Sequence, residues 1–144
     1  MESADLARAI YLADTSAFGR LSQPQVAAAF APLAAEGQVA LCAPVAFELG
    51  YAARSVADYA EIMSGVEAFE SAPTTDGDHR RALEIQRLLA GRGQHRALSL
   101  VDALVAAIAE SRNLTILHYD ADFEFVSAAT GQPNRWIVPR GTAD

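Results

Sequence analysis

Asp14, Glu48, Asp102 and the pair Asp120 and Asp122 each stand beside or inside a strongly apolar stretch of the chain. An unpaired charge is costly to desolvate at such positions, so acids that converge there call for a shared counter-charge. Every donor in the set is a carboxylate oxygen, and oxygen ligands suit a hard divalent cation. The chemistry this implies is metal-assisted attack on a phosphodiester.

The elements around the acids must bring them together. Residues 9–13 form a continuous apolar run, read as a buried parallel strand that ends at Asp14-Thr15-Ser16, a helix cap. Pro24 to Ala35 is helical by composition, with Pro near its start and Gly37 just past its end, and Val39–Cys42 is the next short strand. Pro44 suits a first helical position, which puts Glu48 in the first or second turn of a helix running towards Arg54. Residues 56 to about 69 and 76 to about 90 read as two further helices divided by Ser71-Ala72-Pro73-Thr74. Ser99 is an N-cap, and Val101, Leu104, Val105 and Ile108 then mark one buried stripe that ends near Arg112-Asn113. Asp102 lies one position off that stripe, in the first turn. Residues 114–117 form a third strand ending in His118-Tyr119-Asp120. A helix from Asp122 to about residue 129 then leads through Gly131 and Pro133 to a strand at Trp136-Ile137-Val138. The alternation predicts an α/β sandwich on a mostly parallel sheet, whose sites form beyond the carboxyl ends of the strands. Asp14 and Asp120 follow strands directly, and Glu48 and Asp102 can face the same crevice.

Each acid also has a local reading. Ser99 and Asp102 have the spacing of a capping box in its acidic form, and an acid in a first turn is favoured by the helix dipole. Asp14, Asp120 or Asp122 could equally cap the helices that follow them. Glu48 fits that account least well, because Phe47, Leu49 and Tyr51 surround it.

Bulk properties narrow the classes. A 144-residue chain that is 51% hydrophobic has the size of one domain, 1–144 with a core over about 10–138. A single cysteine, Cys42, permits no internal disulfide, and His79, His95 and His118 are too scattered for a zinc site and are expected to face solvent or be satisfied locally. No run approaches the roughly 18 apolar residues of a membrane span, and Met1-Glu2-Ser3-Ala4-Asp5 lacks the basic start of a signal peptide, so a cytoplasmic protein without membrane association is expected. All 11 basic residues are arginine. The absence of lysine removes Walker-A and Schiff-base chemistry and argues against a phosphatase or receiver domain with Asp14 as phosphoryl acceptor. The net charge of −7 disfavours non-specific nucleic-acid binding, but Arg80, Arg81, Arg87, Arg92 and Arg96 cluster against Glu84 alone. They form either a solvated helix face or a phosphate-tracking rim. Trp136 is expected to pack rather than to stack on a base.

Four segments carry a family resemblance: Leu12-Ala13-Asp14-Thr15-Ser16-Ala17, Pro44-Val45-Ala46-Phe47-Glu48-Leu49, residues 98–106 around Asp102, and Leu117-His118-Tyr119-Asp120-Ala121-Asp122-Phe123. In order and spacing they resemble the signature segments of PIN-domain ribonucleases, in particular the VapC toxins of bacterial toxin–antitoxin pairs, over nearly all of residues 10–138. The resemblance implies a PIN-like three-layer α/β/α sandwich and an endoribonuclease dependent on Mg²⁺ or Mn²⁺. It implies that Asp14, Glu48, Asp102 and Asp120 hold the cation, with Asp122 as a supporting ligand, and that Thr15 or Ser16 orients a carboxylate or a water. It further implies an RNA substrate, a homodimer and a VapB-like antitoxin. The alternative reading is a catalytically idle PIN-like module that binds a partner protein or RNA.

Overall fold

The computed structural model describes residues 9–144; the polar lead read at residues 1–5 lies outside them. Five short strands, β1 (Tyr11–Ala13), β2 (Val39–Cys42), β3 (Glu70–Ala72), β4 (Thr115–His118) and β5 (Asn134–Trp136), form one parallel sheet in the order β3-β2-β1-β4-β5. Between them run α1 (Thr15–Phe18), α2 (Pro24–Ala35), α3 (Ala43–Tyr51), α4 (Val56–Val66), α5 (Asp76–Ala90), α6 (Leu100–Ser111) and α7 (Asp122–Thr130). All four residues of β2 are buried. Successive strand residues point to opposite faces, so both faces of the sheet are covered by helices, as the expected three-layer sandwich requires.

The strand order reverses direction between β1 and β4. Sites in open parallel sheets form at that switch point, outside the carboxyl ends of the strands. Leu12 pairs with Ala40 on one side and Ile116 on the other, and the Asp14 N–H closes the β1 end by donating to the Leu117 carbonyl at 2.9 Å.

The helices follow their sequence signals closely, because capping is local chemistry. Ser99 accepts from the Asp102 N–H at 3.1 Å, and Thr75 caps α5 in the same reciprocal way with Asp78. Two elements differ from the reading. Helix α4 ends at Val66, and the chain then enters β3, an edge strand whose Glu70 and Ser71 are exposed. Three residues with two polar faces offer no period for a pattern to detect. The last strand pairs at Asn134–Trp136, two residues earlier than Trp136-Ile137-Val138, because β4 sets its register through Ile116 opposite Asn134 and His118 opposite Trp136.

Beyond Val138 the chain folds back. The Tyr119 hydroxyl accepts from the Gly141 and Ala143 N–H groups at 2.8 and 2.9 Å and donates to Asp144 at 2.8 Å, and Ala143 is buried. Ile116, fully buried in β4 between the two layers, gives the simplest test of this core. Ile116→Ala is expected to lower stability by about 2–5 kcal/mol, read as a lower urea midpoint at unchanged slope.

Candidate metal centre

Asp14 leaves β1 in an extended conformation and caps α1, its Oδ2 accepting from the Ser16 N–H at 3.0 Å. The capping reading of this acid is therefore correct, and it is incomplete. The side chain is buried, and its second oxygen, Oδ1, has no hydrogen-bond partner. A buried carboxylate oxygen without a donor is strongly destabilising when ionised. Burial accordingly pushes the Asp14 carboxyl above its ordinary range in spite of hydrogen bonding from Ser16, and the nearby charges of Asp120 and Glu48 push the same way.

The residue after Asp14 positions the second acid. Thr15 Oγ1 donates to Glu48 Oε1 at 2.5 Å, tying α1 to the second turn of α3. Ser16 does a different task, its Oγ accepting from the Tyr119 N–H at 2.9 Å and so holding the loop that carries Asp120.

Asp102 is a helix cap, as its spacing from Ser99 predicts, and it is also desolvated. One oxygen takes part in the capping box with the Ser99 N–H at 3.4 Å. Burial at the head of α6, followed by the charges of Asp14 and Asp120, pushes its carboxyl up to about 7. A cap facing open solvent would show neither effect. Asp120 is fixed from below: its N–H donates to His118 Nδ1 at 3.0 Å, and its Oδ1 accepts from the Asp122 N–H at 2.9 Å. Burial and then the charge of Asp120 raise the Asp122 carboxyl as well.

His118 is fully buried and satisfied locally. With Nδ1 accepting, its proton sits on Nε2, which faces Asn134 Oδ1 at 2.6 Å, and burial lowers its pKa. Asn134 in turn donates to Ser127 Oγ, so the Asp120 loop is anchored to both β5 and α7. Nothing in the spacing of His118 pointed to this role; its place immediately before Tyr119-Asp120 was the one available signal.

No arginine forms an ion pair with Asp14, Glu48, Asp102, Asp120 or Asp122 among the described residues. Nor do any three acidic, histidine or cysteine side chains there already converge on one ligand position. Cys42 lies near Asp14 and Glu48, but burial first and then their charges push its thiol up to about 11, which leaves the donor set all-oxygen. The unpartnered Asp14 Oδ1 and the mutual repulsion of the acids fit a hard divalent cation.

The arginine cluster divides. Arg81 grips Glu110 of α6 with two contacts of 2.7 and 3.0 Å and also reaches Glu84, and Arg92 donates to the Ala128 carbonyl. Those two tie helices together. Arg80, Arg87 and Arg96 are exposed.

A PIN-domain family model matches residues 11–128. The chain is 48% identical to Ribonuclease VapC51 of Mycobacterium tuberculosis over 134 residues, covering 93% of this chain and 97% of that protein. It is 39% identical to Ribonuclease VapC21 of the same organism over 134 residues, 92% and 97% of the two chains. Among solved structures, DNA-bound VapBC from Salmonella typhimurium superposes with a TM-score of 0.73 over 90% of this chain and 99% of that one, at 17% identity, which speaks to the fold alone.

Removing one of the mutually repelling charges should stabilise the metal-free protein. An acid whose folded pKa is raised to about 7 from 3.8 binds its proton more tightly when folded, so stability is highest at low pH and falls as pH rises through that window. Asp102→Asn is expected to raise the melting temperature in EDTA at pH 8 by about 3–6 °C, on the order of 1–2 kcal/mol after discounting for solvent screening of a half-buried group. The difference should nearly vanish at pH 4, and a variant that melts with the wild type at both pH values would mean that neither burial nor repulsion raises the Asp102 carboxyl.

Proposed function

The chain belongs to the PIN-domain family, and we propose that it is a metal-dependent endoribonuclease, the toxin of a toxin–antitoxin pair. The observation that carries this reading is Asp14: a buried carboxylate with one oxygen unpartnered, at the switch point of the sheet, electrostatically tied to Glu48, Asp102 and Asp120. The names of the VapC51 and VapC21 relatives, each matched over almost its whole length, supply the substrate class.

In this reading Asp14, Glu48, Asp102 and Asp120 hold Mg²⁺ or Mn²⁺, with Asp122 supporting Asp120. A bound cation supplies an attacking water of lowered pKa and neutralises charge on the scissile phosphate. The chain's own residues do the positioning. Thr15 fixes the Glu48 carboxylate, Ser16 and His118 fix the Asp120 loop, and the burial of Asp14 gives a low-dielectric floor on which charge interactions are strong. A carboxylate cluster in a protein of net charge −7 repels RNA, so the cation is needed to admit a polyanion, and the exposed Arg80, Arg87 and Arg96 would add phosphate contacts.

A VapB-like antitoxin and a homodimeric state belong to the same reading. An apolar groove of about 490 Å³ is lined by Phe18, Phe30, Ile62, Val66 and Phe69 together with Thr15 and Glu48. An antitoxin segment lying there would reach the acids. Among the described residues no helix is long and apolar enough to cross a membrane.

Incubated with total bacterial RNA, the protein is expected to make discrete cuts in Mg²⁺ or Mn²⁺ and none in EDTA. Asp14→Asn should slow them on the order of a hundredfold or more. Wild-type cleavage by folded Asp14→Asn and Asp102→Asn proteins would rule out the metal reading. Protons and cations also compete for Asp102, whose metal-free carboxyl sits at about 7. Titration calorimetry should therefore find Mg²⁺ affinity falling by up to about tenfold per pH unit below 7 and level above it; a flat profile from pH 5.5 to 8.5 would overturn the competition between proton and cation at Asp102.

A further inference from the structure

On the Asp120 side of the acids lies a polar cleft of about 460 Å³, walled by Ser16, Arg20, Tyr119, Asp120, Trp136, Arg140 and Asp144, the last with its carboxylate engaged by the Tyr119 hydroxyl. It joins two guanidinium groups and two aromatic rings beside the carboxylates of Asp120 and its neighbours. Arg20 lies 4.4 Å from the centre of the Tyr119 ring. Its Nε and Nη1 donate to the backbone carbonyls of Ala143 and Ser16 at 3.1 and 3.4 Å. Those bonds fix the guanidinium without neutralising it: no carboxylate among the described residues lies within 4.0 Å, and Nη2 makes no hydrogen bond there. Arg140 also lines the cleft, its charge 5.6 Å from the centre of the Trp136 ring and paired with Glu124 at 3.1 Å. That ion pair is solvent-exposed, with side-chain exposures of 63% and 47%, and such pairs exchange readily for a better anion. Glu124 also accepts from Trp136 Nε1 at 3.1 Å, which sets the orientation of the indole. Trp136 packs on His118 and Tyr119, as expected of it, yet remains half-buried at the cleft wall.

A ligand matching these walls carries a negative charge and a planar ring together. Guanidinium groups suit phosphate through planar, bidentate geometry, and aromatic side chains suit unstacked bases whatever their sequence. A metal cation is disfavoured by the two arginines, and a neutral apolar molecule leaves both charges unused. We propose that this cleft seats the nucleotide adjoining the scissile phosphodiester of a single-stranded RNA, its phosphate between Arg20 and Arg140 and its base against Trp136. The proposal rests on the ribonuclease reading and deepens it, placing the strand's exit on the β4–β5 side of the acid cluster. Arg20 lies two residues past the end of α1, and no motif in the chain marks it.

The test measures, by fluorescence anisotropy in Mg²⁺, binding of a labelled phosphorothioate single-stranded RNA of about eight nucleotides to the full chain. Wild type, Arg140→Ala, Arg20→Gln and the double variant are compared over a range of NaCl concentrations, with cleavage of total RNA assayed in parallel and folding checked by thermal melts. Each single substitution is expected to weaken binding about five- to tenfold and to lower the slope of log Kd against log salt by about 0.7, the single-strand value for one lost phosphate contact. A merely structural arginine would not change that slope. If Arg20→Gln fails to fold through loss of its hold on Ala143, the exposed Arg140 carries the test alone. Wild-type affinity and slope in folded Arg140→Ala, with RNA cleavage by the wild type intact, overturns the subsite and leaves the ribonuclease reading standing. A wild-type protein that neither binds nor cuts RNA overturns both.

Discussion

The rest of the site depends on the burial of Asp14. The residue must sit where β1 ends against β4, because its N–H completes the sheet at the Leu117 carbonyl, and that position takes its side chain out of water. One carboxylate oxygen is used as a helix cap and the other is left without a donor. A fold optimised for stability alone would place an apolar residue or a neutral amide there. Three further acids around the same point raise the strain further, and burial followed by mutual repulsion shows in Asp102, held at about 7. Unrelieved repulsion of this kind is what a functional electrostatic site stores and what a counter-ion relieves.

Holding repelling groups in place demands rigid supports, and the structure supplies one for each arm of the site. Thr15 fastens Glu48 across two helices, and the capping box fixes Asp102 at the head of α6. Ser16 and His118 clamp the Asp120 loop from two sides. The His118–Asn134–Ser127 chain of hydrogen bonds carries that clamp into α7 and β5. A buried histidine kept neutral by desolvation suits this work, since it offers one acceptor and one donor and brings no charge into the cluster. Charge is managed on the larger scale too. Arg81 is neutralised by Glu110 and Glu84 and ties helices together, whereas Arg20 lines the cleft beside Asp120 with no carboxylate partner among the described residues and Arg140 lines it paired with the exposed Glu124.

Much of the fold was legible in the chain because its signals are local. The Ser99 cap, the prolines that open α2 and α3 and the buried stripe of α6 mark the helices closely. β3 was missed because its residues carry no pattern: Glu70 and Ser71 become strand solely by pairing with Ala40 and Leu41. The final strand was placed two residues late for the same reason, its register being set by β4.

For the site, the sequence by itself determined which acids stand at strand ends and first turns, since strand length, capping and helical period all follow from neighbouring residues. Only the tertiary structure decided how those acids feel one another. Whether Asp102 is a solvated cap or a member of a charged cluster depends on burial and on Asp14 and Asp120, which lie far from it in sequence. The divided task of Thr15 and Ser16, the supporting place of His118 and the meeting of Arg20 with Arg140 were likewise out of reach of the linear chain. Each is a contact between elements brought together by sheet order, and desolvation and Coulomb repulsion act through space rather than along the backbone.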